Sequence, residues 1–199
     1  MRAHDELRMR SWSKLTYFDP DRTLRDLRDV ELQIAGQPID PNDSNAAKVR
    51  ALRTRPLRKY NEWRQAALFC HGIGGLLGTT LYFAPGEDEA HDYVTKRLVE
   101  DTWTFTPLQL KELVPSTTNP DATLEGILAD LTKYTTAADT VVAVYINRRG
   151  TTDLNAIKVP RLKLGELWLF WAASEDQSRW QLYGDLLKDP AVQDFGYPA

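Results

Sequence analysis

From residue 57 onward the hydrophobic pattern switches between a helical and an extended period. In "LRKYNEWRQAALFCHGI", Tyr60, Trp63, Ala67 and Cys70 recur at helical spacing, which predicts a helix over 57–71. Gly72, Gly74, Gly75 and Gly78 are expected to break it up. "TTLYFAP" (79–85) is β-branched and aromatic, a strand stopped by Pro85 and Gly86. After the charged loop "GEDEAH", the segments "DYVTKRLV" and "TWTFTPLQLKEL" form two strands around Glu100-Asp101. Beyond the loop "VPSTTNPD", Leu124, Ile127, Leu128 and Leu131 stand at i, i+3, i+4 and i+7, an amphipathic helix. Asn119 and Pro120 are expected as its cap and first position. "TVVAVYIN" (140–147) is almost continuously apolar, as a strand buried on both faces would be.

The order is therefore helix, three strands, helix, strand. "IKVPRLKL", "ELWLFWA" and "RWQLYG" follow as further strands, the last two a hairpin through "ASEDQS", with a short helix near "DLLKDPAV". Ahead of this core, residues 1–44 are expected to be irregular or partly helical. Turn residues cluster in "AGQPIDPNDSN" (35–45), and a basic helix over 45–57 is interrupted near Pro56. The expected fold is α/β (α+β): a mixed central sheet with an αβββαβ core, an extra C-terminal β-hairpin and an N-terminal helical extension. Residues 1–56 form the extension, 57–150 the core, and 151–199 strands packed on the core in the same domain. No internal repeat or low-complexity segment interrupts this reading.

Composition narrows the class. A chain of 199 residues with 42% hydrophobic and 27% charged residues is long enough for one domain with a sizeable core. No apolar run approaches the ~20 residues a spanning helix needs, and "MRAHDELRMRSW" has no apolar signal core, so a cytoplasmic protein is expected. Cys70 is the only cysteine, which excludes an intrachain disulfide or a multi-cysteine metal site and leaves a small buried hydrophobe. Net charge is −3, but it is unevenly spread: residues 1–64 carry 14 basic and 10 acidic side chains. Between 45 and 64 seven bases face one acid, Glu62, a stripe that could track phosphates or simply be a solvated helix surface.

The two central strands carry the candidate chemistry. With Glu100 and Asp101 as a two-residue turn, facing residues have numbers summing to 201, and Asp92 lies opposite Gln109. Opposed residues share a sheet face, as do i and i+2, so Asp92, Gln109 and Lys111 converge. The same face continues as Val94 with Pro107, Lys96 with Phe105, and Leu98 with Trp103. A one-residue slip would destroy the arrangement. A carboxylate and an amide oxygen suit a hard cation such as Mg²⁺. A neighbouring ammonium orients water or stabilises charge developing on phosphorus.

At this point the chain resembles the PD-(D/E)xK nuclease superfamily, which includes restriction-type endonucleases and Holliday-junction resolvases. The matching residues are "HDYV", with Asp92, and "LQLKE", with Gln109 and Lys111; the resemblance spans about 57–150. Many members add a Glu on the first helix, and "YNEWRQ" supplies Glu62. The resemblance implies a restriction-endonuclease-like core and a Mg²⁺- or Mn²⁺-dependent phosphodiesterase, a DNA endonuclease. Asp92, Gln109, the Leu110 carbonyl and Glu62 would hold metal, and Lys111 would position the attacking water. Nucleic acid would run along Lys48, Arg53, Arg55, Arg58 and Lys59; Arg148 and Arg149, at the end of the buried strand, would hold its backbone or simply be surface charge at a strand end. Two departures stand out: His91 precedes Asp92 where the family has Pro, and Gln109 replaces the commoner Glu. The amide keeps an oxygen but removes a charge, which weakens the metal. The alternative expectation is a nuclease-like fold without turnover, a binding or assembly module in a defence or mobile-element system. A homodimer or a partner subunit fits either.

Other constellations carry less. Cys70 beside His71 would diverge by ~100° on a helix, with no third orienting group. The glycines of "FCHGIGGLLG" lack a Gly-Lys-Ser/Thr ending, and no Gly-x-Ser-x-Gly elbow exists. His4, His71 and His91 show no zinc spacing. Glu87, Asp88 and Glu89 belong to a solvated loop or supply missing charge to the site. The aromatic segment with Trp168, Phe170, Trp171, Trp180 and Tyr183 is expected in the core rather than as a base-stacking platform.

Overall fold

The structure is a computed structural model describing residues 3–36, 57–86, 91–135, 137–148 and 153–199. All but the last residue of the expected basic helix over 45–57, the acids at 87–89, and Lys48, Arg53, Arg55 and Arg149 lie outside the described residues. Among the described residues seven strands form one mixed sheet in chain order. They are β1 (Tyr82–Pro85), β2 (Tyr93–Val99), β3 (Thr102–Leu113), β4 (Ala137–Ile146), β5 (Leu164–Ala172), β6 (Arg179–Gly184) and β7 (Ala191–Gly196). The strands β1 to β3 are antiparallel, β3 to β5 parallel, and β5 to β7 antiparallel. The helices among the described residues are α1 (Ala3–Trp12), α2 (Pro20–Gly36), α3 (Arg58–Leu77) and α4 (Leu124–Asp130). The chain is thus mixed α/β, and no described helix is long and apolar enough to cross a membrane.

Alternation along the strands builds two apolar layers. Ala143 and Tyr145 of β4 face the α3 side, packing with Phe69, Phe83, Leu108, Phe170 and Trp180. Val142 and Val144 face the other side, with Leu124, Leu128, Leu167 and Leu169. All four β4 residues are buried, as the apolar run predicts. The C-terminal segment joins the same sheet through β5, and α2 contributes Leu24 to the α3-side core.

The central hairpin forms in the expected register: every pair from Tyr93↔Leu108 to Val99↔Thr102 sums to 201. Glu100 (φ 46°) and Asp101 (φ 62°) both take left-handed backbone, as a two-residue type I′ turn demands. Beyond Leu108 the strand β3 changes partner, pairing with β4 from Leu108↔Val141 to Leu113↔Ile146.

Elsewhere tertiary contacts override local signals. The helix α3 does not stop near residue 71 but runs to Leu77 and ends on Gly78 (φ 64°). Glycine is required inside it by close packing: a Cβ on Gly72 would meet Leu182 at 2.8 Å and Phe195 at 2.9 Å. The first strand correspondingly begins at Tyr82. The helix α4 is capped by Thr123, whose side chain accepts the Gly126 N–H, not by Asn119 and Pro120. "IKVPRLKL" forms no strand before Leu164. The expected helix near "DLLKDPAV" is a turn followed by β7, because buried Asp185 accepts the Leu167 and Leu187 N–H groups.

Candidate functional site

The site lies where β3 passes from β2 to β4. Asp92 immediately precedes β2, so past Leu108 the β2-facing edge of β3 has no strand against it. The Asp92 carboxylate takes that place: its Oδ2 accepts the Leu110 backbone N–H at 2.8 Å. The same oxygen accepts the side-chain amide of buried Gln109, whose Nε2 also lies 3.5 Å from the Leu110 carbonyl. Three of the expected metal-holding groups are therefore in direct contact.

A cavity of about 910 Å³ opens over this point, lined also by Glu62, Lys111, Arg58 and Lys59. Glu62 reaches it from the first turns of α3 and is paired with Arg58 at 2.8 Å. Lys111 sits two residues beyond Gln109, its Nζ 5.7 Å from the Tyr134 ring centroid. Arg148 does not join them. Its guanidinium donates to the carbonyls of Val114 (2.9 Å) and Asn119 (2.6 Å), securing the loop after β3.

Burial raises the Asp92 carboxyl above its usual 3.8 despite the Leu110 N–H and the charge of Lys111, both of which oppose the rise; Glu62 adds to it. A carboxyl with a raised pKa holds its proton in the folded state at pH values where the unfolded chain has released it, so stability falls as pH rises from 3.8 through the folded value. Asp92→Asn removes that slope. Melts recorded across this range should show the variant gaining on wild type as pH rises, and then holding its advantage at neutral pH. A constant difference at all pH values would contradict this.

The donors are all oxygens of the kind a hard divalent cation takes. In the present arrangement the Gln109 amide N–H satisfies Asp92 instead. Turning that amide over would set Oε1 against Oδ2, two acceptors that a cation between them reconciles. The donor types fit Mg²⁺ or Mn²⁺, with a charge supplied only by Asp92 and the Arg58-paired Glu62. Among the described residues no group of three or more His, Cys, Asp and Glu side chains is arranged to hold a metal ion.

Some of the cavity wall goes beyond the expected set. Glu112, facing away from Lys111, accepts Gln65 Nε2 at 3.2 Å and Asn147 Nδ2 at 2.7 Å, tying α3, β3 and the end of β4 together. Gln65 stands at i+3 from Glu62, and that helical spacing was the available signal. Trp63 also lines the cavity. In pocket and charge this is a polar, concave site lined, among the described residues, by three acids (Glu62, Asp92 and Glu112) and three cations (Arg58, Lys59 and Lys111). No family model matches this chain, and no curated protein or solved structure is found to be similar to it.

Proposed function

We propose that the chain is a divalent-cation-dependent nucleic-acid phosphodiesterase of the PD-(D/E)xK kind, acting on DNA, with its nuclease-like core in residues 57–150. The observation that carries this reading is the contact of Asp92 with both Gln109 and the Leu110 backbone at a cavity shared with Lys111 and Glu62. The order α3-β1-β2-β3-α4-β4, with β3 parallel to β4, supports it. Asp92, Gln109, the Leu110 carbonyl and Glu62 would hold Mg²⁺ or Mn²⁺. Such a cation supplies Lewis-acid polarisation of a phosphoryl oxygen. Lys111 orients the attacking water and stabilises the charge that develops on phosphorus. Arg58 and Lys59 guide the backbone into the cavity.

A second reading, a nuclease-like binding or assembly module without turnover, is favoured by one feature: the Gln109 amide N–H closes on Asp92. Incubation with plasmid and linear DNA in Mg²⁺, Mn²⁺ or EDTA separates the two. Cutting that needs metal supports the enzyme. Retention of DNA without cutting supports the module, and neither cutting nor retention removes both.

A further inference from the structure

Trp63 occupies an unusual place for a core aromatic. It lies one residue from Glu62 on α3, is only partly buried, and forms part of the wall of the cavity that holds Asp92 and Lys111. Phe18 backs it, ring centroids 4.6 Å apart. The Lys59 ammonium, one helical turn earlier, sits 5.3 Å from its ring centroid. A cation–π contact at an exposed site is weak, so the flexible lysine is readily exchanged for another partner of the ring. Displaced, its ammonium remains beside the ring, with Arg58 close by on the same turn.

A ring backed on one side and an exchangeable cation at its face match a planar base carrying a phosphate. The cavity falls within the range of roughly 300–1,000 Å³ that encloses a small ligand. A base paired within a duplex has both faces covered by its neighbours and can offer one to the Trp63 ring only by leaving the stack. We infer that the cavity takes one unpaired nucleotide of a nucleic-acid strand, its base stacked on Trp63 and its phosphate drawn by Lys59 and Arg58 toward Asp92 and Lys111. The inference rests on the nucleic-acid reading above and adds the form of the substrate: single-stranded or locally unpaired rather than fully duplex.

The test uses the full chain in EDTA at fixed salt. It is titrated with a short single-stranded oligonucleotide, with the same sequence as duplex, and with adenosine monophosphate. The emission of Trp63 is isolated as the difference between wild type and Trp63→Phe, which keeps an aromatic ring against Phe18. The single strand is expected to quench that difference signal. Trp63→Leu should weaken single-strand binding about tenfold or more, with duplex affinity changed less than about twofold. The inference is overturned by an absent Trp63-specific quench, by equal losses for single strand and duplex, or by monophosphate binding as tight as the strand. If Trp63→Leu does not fold, the comparison of wild type with Trp63→Phe still decides. Cutting is scored separately. Binding and quenching without cutting sinks turnover alone, whereas metal-dependent cutting of duplex, undiminished in Trp63→Leu, sinks the stacking site alone.

Discussion

Lys111→Ala is expected to lower metal-dependent DNA cleavage by about 10²-fold or more, the scale on which removing one preorganised charge-stabilising donor acts. Lys111 lines the cavity over Asp92, and its positive charge opposes the rise in the Asp92 carboxyl pKa. Its loss therefore acts twice. The developing phosphoryl charge loses a partner, and Asp92 holds its proton more tightly, which disfavours any cation there. Arginine should not rescue, because a planar fork does not replace a compact ammonium at one point in space. Folding should hardly change. The structural contact of the side chain is with Tyr134, and a half-exposed cation–π pair is worth about 0.5–1 kcal/mol. The measurement pairs cleavage rates at saturating Mg²⁺ with a thermal melt. Unchanged cleavage, or loss that merely follows unfolding, would remove Lys111 from the chemistry.

The largest stability loss among single charge removals is expected at Arg64. This side chain is buried on α3, with Nε 2.8 Å from Glu31 of α2 in an ion pair that lacks hydrogen-bond alignment. Its guanidinium also donates to Gln177 and lies 5.4 Å from the Trp180 ring and 5.8 Å from that of Tyr197. One residue thus joins α2, α3 and the C-terminal strands. Removing one partner of a buried pair typically costs about 3–5 kcal/mol. Glu31 keeps some contact with water, so Arg64→Ala is expected near the low end, about 3 kcal/mol in urea unfolding. Arg64→Met should recover part of this by refilling the volume against Trp180. A loss below about 1 kcal/mol would mean that the pair contributes no net stability.

Arg64 also shows what a linear reading misses. It belongs to the basic stretch read as a phosphate track or a solvated helix surface, yet its charge is spent inside the molecule. Arg58, which faces the cavity, has a local partner in Glu62 four residues on, whereas the partners of Arg64, Glu31 and Gln177, are far away in sequence. The hairpin was legible for the opposite reason. A two-residue turn and a side-chain period of two fix every facing pair from local information alone, and Asp92 then falls beside Gln109. The Gln65–Glu112–Asn147 cluster was not legible, since it unites three elements that only the sheet order brings together. Gly72 misled because its need for space comes from Leu182 and Phe195, more than a hundred residues later.

The exchange of neighbours along β3 has a consequence for redesign. Leu110 offers its N–H to a side chain only because β2 begins too late to claim it. Lengthening that ribbon by a couple of residues would zip main chain onto main chain there, leaving both greasy layers untouched while sealing the polar notch. Whatever the notch handles, its existence depends on one strand being short.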